Sequence, residues 1–234
     1  MNAWVAKRFW TDVSVVSTAD GFAIKLDGRP VKTPAKTPLV VPSIEMAESI
    51  AAEWRAVDEK IDPEVMPFTR SANAALDKVS TQFTEVAEML AAYGGSDLLC
   101  YRATTPAALV ERQEQAWDPI LDWAFETFGA RLTTTSGIMP ITQGADSIEA
   151  LSKPLFDSTP FQLTALHDLV SLSGSLVLAL KVTQGNLPPE TAWSLSRIDE
   201  TWQAEQWGVD EEAEQLAQVK RLAFDHAALF FRMA

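Results

Sequence analysis

Two hydrophobic periods run along this chain, and the change from one to the other divides it. Val13 and Val15, then Phe22, Ile24 and Leu26, alternate with polar residues, the pattern of half-buried strands. Asp20-Gly21 and Asp27-Gly28 supply the positive φ angles that hairpin turns demand. Leu39 to Val41, between Pro38 and Pro42, adds a short strand, so the region reads as a small antiparallel meander. Ser43 is placed to cap a first helix whose apolar face is Ile44, Ala47, Ile50, Ala51 and Trp54. A proline-containing link, Asp62 to Thr69, follows.

From about residue 70 the period becomes helical. Ala72, Ala75, Leu76, Val79, Phe83, Val86 and Leu90 share one face, and Gly94-Gly95 ends that helix. Thr105-Pro106 opens the next, with Leu109, Ala116, Ile120, Ala124 and Phe128 inward and Gly129 at its close. Pro119 inside it predicts a kink or restart, since an interior proline costs about 3 kcal/mol. A short helix is predicted over 147–156, and a long one from Thr159-Pro160 to Gly185. In the long helix Ser171 to Ser175 should form a narrow waist for close packing. Pro188-Pro189 starts a further helix that Gly208 ends, and Asp210 caps the last, which runs to about Arg232. The reading is an α+β chain: residues 1–69 form a small N-terminal domain of antiparallel sheet plus helix. Residues 70–234 form an all-helical bundle of the orthogonal type.

Composition narrows the class. Of 234 residues, 47% are apolar and 22% charged, an ordinary globular balance that excludes disorder and disulfide-stapled mini-folds. The formal charge of −13, from 19 basic and 32 acidic residues, argues against nucleic acid, whose affinity rests on clustered Lys and Arg. The single cysteine, Cys100, cannot form an intrachain disulfide and suits a reducing compartment. The longest apolar run, Leu176 to Leu180, falls well short of the about 20 residues of a membrane span. Met1 to Trp10 lacks the apolar core of a secretory signal. An intracellular protein without a membrane anchor is expected.

Familiar chemistry is scarce. There is no GxxxxGK[ST] loop and no GxGxxG. His167 and His226 fall in separate helices without metal-ligand spacing, and a metal site needs three or four converging ligands. Cys100, flanked by Leu98, Leu99 and Tyr101, reads as a buried thiol of raised pKa. No catalytic residue, metal or cofactor is expected. Carboxylates are plentiful, so a hydrolase with paired Asp/Glu in the helical part stands as the enzyme alternative.

Charge is unevenly spread. Residues 190–214 carry eight acids against one base, Arg197, whereas residues 1–42 carry six bases against three acids. Such a face is either solvated surface beside a basic neighbour or a binding surface for a basic or aromatic-rich protein. Trp202 continues the stripe of Leu195 and Ile198 and reads as core. Trp193 and Trp207 lie off it, near Arg197 and Glu200: they are either exposed rings beside charge, typical of binding hot spots, or rings that another helix covers.

Several strings together carry a family resemblance. They are Arg8-Phe9-Trp10, Leu26 to Pro34 (LDGRPVKTP), Val41 to Ser43, Glu53-Trp54, Cys100 to Arg102, Trp117 to Ile120, and Leu195 to Gly208 (LSRIDETWQAEQWG). In this order the chain resembles the assembly chaperones of the F-type ATP synthase that hold the unassembled α subunit of the catalytic head. The resemblance implies a mixed α/β domain followed by helices, and an ATP-independent, non-enzymatic function. The chaperone would bind free α subunit until the β subunit replaces it. It also implies an important C-terminal acid, aligned with Glu190, and an important tryptophan, Trp54, whose helical spacing assigns it to packing. The partner-binding set expected from this region is Glu190, Trp193, Arg197, Glu200, Glu205 and Trp207. A monomer in the bacterial cytoplasm is expected, with a processed mitochondrial matrix form as the alternative. A structural adaptor that stays in the finished complex is the other non-enzymatic reading.

Overall fold

The computed structural model describes residues 7–137 and 139–234. Its architecture is α+β: a small antiparallel sheet and a helix at the N-terminal end, then a predominantly helical chain. Strands β1 (Val13–Thr18) and β2 (Gly21–Leu26) pair antiparallel from Val13↔Leu26 to Thr18↔Gly21. The other edge of β2 takes β3 (Arg29–Pro30) and β4 (Val40–Val41), with Leu26 opposite Arg29 and Phe22 opposite Val41. Asp27 and Gly28 between β2 and β3 have φ of 46° and 77°, the mirror-image turn that suits strand twist. Gly21 is obligatory for a second reason, since a Cβ there would stand 2.4 Å from the Val41 carbonyl oxygen.

Helix α1 (Ile44–Ala56) is capped by Ser43, whose Oγ accepts from the Met46 amide at 3.2 Å. Met46, Ala47, Ile50, Ala51 and Trp54 are its buried face and share one core with Ile24, Leu26, Leu39 and Val41. Trp54 is 9% exposed; its ring meets Trp10 edge-on at 5.1 Å, and the Trp10 indole donates to the Trp54 carbonyl. Helix α2 (Pro67–Ala74) starts on Glu53, whose carboxylate accepts from the Phe68 and Thr69 amides and the Thr69 hydroxyl.

Three of the expected helices prove to be interrupted. The first continues from α2 into a π-helical stretch, Ala75–Val79, and breaks before α3 (Phe83–Ala92). The expected helix from 159 to 185 divides into α6 (Pro160–Ser173) and α7 (Leu176–Thr183). Gly174 between them has φ 73°, so its role is to reverse the backbone rather than to thin a helix. Ser175 Oγ then caps α7 by accepting from Leu178. The helix expected between Pro188 and Gly208 is likewise α8 (Pro189–Ser196) and α9 (Ile198–Trp207), broken at Arg197. In contrast α4 (Ala107–Phe128) runs through Pro119 as one helix. Two residues each of β5 (Tyr101–Arg102) and β6 (Thr135–Ser136) pair parallel. Helix α5 (Ala145–Phe156) and the terminal α10 (Glu211–Met233) complete the chain, with Asp210 accepting from the Glu212 and Ala213 amides.

These elements form two compact units. One holds the described residues through Phe83, with Thr159–Ala165 and Leu229–Ala234; the other holds Thr84–Ser158 and Leu166–Ala228. The single boundary read from the sequence at residue 69 makes each part continuous, whereas these units are discontinuous. No helix among the described residues is long and apolar enough to cross a membrane.

Candidate functional site

Within the second unit, α8, α9 and α10 enclose a groove of about 370 Å³ whose wall also includes Arg112 of α4. The break at Arg197 opens it. Ser196 Oγ donates to the Trp193 carbonyl at 2.8 Å, and the Arg197 amide turns to the Ser194 carbonyl instead. A serine hydroxyl that takes a backbone carbonyl competes with the helix in this way. Arg197 is then directed over the Trp193 ring at 5.8 Å and bonds Glu200 at 2.6 Å.

Of the residues expected from the sequence, Trp193, Arg197 and Glu200 line this groove. Trp207 joins Arg197 and Glu200 around an adjoining hollow of about 310 Å³ near the α9–α10 turn. Trp207 is 79% exposed, while Trp193 is 7% exposed and packed on Phe224 at 5.8 Å. Trp193 thus supports the groove floor, covered by α10 as the second of its two readings has it, whereas the Trp207 ring is open. Trp202 is half-buried. Glu205 lies outside both hollows, held at 2.7 Å by Arg112. Glu190 is exposed in the first turn of α8, one turn before Trp193, and lines neither hollow.

Arg112, Glu214, Ala217 and Arg221 also shape the groove and were not foreseen. Nothing in the local sequence sets Arg112 apart, because it reaches α9 across 93 residues of chain. Its neighbour Gln113, fully buried, donates to Asp199 at 2.5 Å and accepts from the Ala103 amide. The Arg112–Glu205 and Gln113–Asp199 contacts fix α9 against α4.

The groove is electrostatically mixed rather than uniformly acidic, since Arg112, Arg197 and Arg221 line it together with Glu200 and Glu214. No group of three or more His, Cys, Asp or Glu among the described residues could hold a metal ion. Burial raises two carboxylates, Asp97 and Glu53, and each is occupied by helix amides rather than by a second carboxylate. Burial, and then the Asp97 charge, push the Cys100 thiol up to about 12, the reverse of nucleophile activation.

Residues 7–125 match the ATP12 chaperone protein family. "Protein atp12, mitochondrial" of Schizosaccharomyces pombe is 26% identical over 223 residues, covering 90% of this chain and 76% of the relative. The crystal structure of Atp12 from Paracoccus denitrificans superposes with a TM-score of 0.94 at 48% identity, over 97% of this chain and 98% of that one. A point mutant of P. denitrificans Atp12p gives the same TM-score and identity over 97% of each chain.

Proposed function

The chain belongs to the ATP12 chaperone family, and from that premise we propose that it is an ATP-independent assembly chaperone of the F-type ATP synthase. Its client is the unassembled α subunit of the catalytic head, held until the β subunit takes its place. An isolated subunit exposes apolar surface that its neighbour later covers, and such patches aggregate. A holder of that surface must also let go, which favours a partly polar interface of about 1,600 Å². The observation that carries this reading is the α8–α9 face. It combines an exposed Trp207, a mixed-charge groove and the exposed acids Glu190, Glu200 and Glu205. Trp193 and Arg197 act from below, and Trp54 acts only through the core of its own unit. We assign the protein to the bacterial cytoplasm, a reading supported by the higher identity to the Paracoccus protein than to the fission-yeast one, and take it to act as a monomer.

Co-purification tests the reading. Tagged protein is expected to recover the α subunit from lysate at low salt; recovery of β, or of neither, removes the client assignment. Glu190→Lys adds repulsion as well as removing attraction, so it should reduce capture more than Glu190→Ala. Glu190 is exposed in the first turn of α8, so both variants should fold, with Glu190→Lys losing up to about 1 kcal/mol of favourable interaction with the helix dipole. Undiminished capture by a folded Glu190→Lys protein takes Glu190 out of the binding face.

A further inference from the structure

The sheet of the first unit has two edges, and the sequence treats them differently. Beyond β2 lie β3 and β4, two residues each, and Pro30, Pro38 and Pro42 withhold amides there. Short strands and prolines are the ordinary means of blunting an edge. Strand β1, the opposite edge, is six residues long with the sequence VSVVST, and it pairs with β2 without a bulge. It carries no Lys, no Pro and no charge of either sign.

The register shows which of its backbone groups are left over. The Asp27 amide donates to the Asp12 carbonyl, so in this antiparallel ladder Asp12, Ser14, Val16 and Thr18 are the residues bonded towards β2. Val13, Val15 and Ser17 therefore turn their N–H and C=O groups outward. The Val13 carbonyl accepts from the Arg55 guanidinium at 3.3 Å. The amides and carbonyls of Val15 and Ser17 have no hydrogen-bond partner among the described residues. Two donors and two acceptors, two residues apart on one line, are matched by the backbone of an extended segment and by no single side chain.

The surroundings select the segment. Val15 packs on the core that Ile24 and Leu26 share with α1, so a residue beside it on that face meets apolar surface. The residues before and after that one meet Ser14 and Val16, with Lys25 opposite Ser14. A segment that is apolar beside Val15 and polar on either side of it fits both faces. A second copy of the chain fits poorly. A two-fold pair with Val15 on Val15 sets Val13 against Ser17 at both ends, where Arg55 already holds the Val13 carbonyl. Sliding the pair by two residues brings Asp12 of each copy towards Asp20 of the other, and like charges across strands are destabilising.

We propose that the outer edge of β1, at Val15 and Ser17, accepts an extended segment of the client as an added strand, with an apolar residue beside Val15. This rests on the client reading above and adds to it a main-chain contact in the first unit. A few main-chain bonds hold a segment without burying a large surface, which suits a holder that must release.

Amide hydrogen exchange in the complex with isolated ATP synthase α subunit tests this without a variant. The Val15 and Ser17 amides should exchange at least about tenfold more slowly in the complex than in the free chain. Ser17 is exposed, and Ser17→Pro removes an outward N–H while sparing the bonds to β2. Retained protection of the Ser14, Val16 and Thr18 amides shows that ladder to be intact. The variant should capture the α subunit at least about fivefold more weakly, whereas Ser17→Ala, which keeps the amide, should match the parent. A short alternating Thr/Val peptide should protect the same two amides, and its N-methylated counterpart should not. Capture of the α subunit with unchanged exchange at Val15 and Ser17 overturns the inference and leaves the client reading intact. Protection by the peptide with no capture of α subunit overturns the client reading and leaves the strand-accepting edge. Protection by neither probe, or self-association that Ser17→Pro abolishes, overturns the inference.

Discussion

Asp97 concentrates the most consequence in one side chain. It is fully buried, and its two oxygens serve different elements, one accepting from the Leu99 amide and the other from the Val177 amide at the start of α7. Burial raises its pKa from 3.8 to about 6, against the opposing pull of the amides and the Ser175 hydroxyl. A carboxyl whose folded pKa is raised binds its proton more tightly in the folded state, so its contribution falls as pH climbs between the two values. A shift of this size corresponds to about 3 kcal/mol lost between pH about 4 and about 6. Asparagine at this position keeps the shape but turns an NH₂ toward one of the two amides, an unsatisfied pairing worth about 1–3 kcal/mol. Asp97→Asn should therefore be most destabilising near pH 4, and its cost relative to the parent should shrink as the pH approaches 7. Melting curves of both proteins across that range check this, and a pH-independent difference would show the carboxyl to be charged throughout. No motif marked Asp97 in the sequence. Its role is set by Gly174 to Val177, about 80 residues further on, where Gly174 also accepts from the Leu98 amide.

At the scale of elements, the apolar pattern located the strands and most helices but not their interruptions. Periodicity reports which face is buried, and that face continues across a break. The physical signal lies in the hydroxyls: Ser80 donates to Leu76, Ser173 to Leu169 and Ser196 to Trp193, each at or beside an interruption. The same bond from Thr164 to Pro160 occurs in an unbroken helix, so the residue type alone does not decide. Turn chemistry was legible where conformation is dictated locally, as at Asp27-Gly28, Ser43 and Asp210. At Gly174 the two readings predict opposite signs. A mid-helix glycine replaced by alanine gains up to about 1 kcal/mol. At φ 73°, alanine instead pays the left-handed penalty of about 1–2 kcal/mol. A Cβ there would meet Leu98 Cβ at 3.8 Å, ordinary contact, so crowding adds nothing. Gly174→Ala is thus expected to lower stability in chemical denaturation, and a gain would restore the continuous helix.

On the scale of the whole molecule, the candidate site was partly readable because α8 and α9 are adjacent in sequence, whereas α4 and α10 reach the groove only through the fold. The same long-range logic governs the N-terminal unit, whose core is completed by the far end of the chain. Phe230 is fully buried, with the rings of Phe68 and Phe161 each 6.3 Å away. Ser43 caps α1 through its oxygen lone pair and donates its hydroxyl proton to the Met233 carbonyl. The sheet and first helix read from the sequence therefore share their core with residues from the end of the chain. Deleting Leu229–Ala234 removes Phe230, and truncating a buried phenylalanine alone costs about 3–5 kcal/mol. It also releases the Ser43 hydroxyl. A small unit can scarcely absorb such a loss when a domain is stabilised by only about 5–15 kcal/mol. Amide hydrogen exchange should accordingly show the β1 and β2 amides losing protection in the truncated protein, by at least about a hundredfold. If those amides kept the parental protection, the sheet and α1 would be self-sufficient, and the chain's last turn would be an accessory to that core rather than part of it.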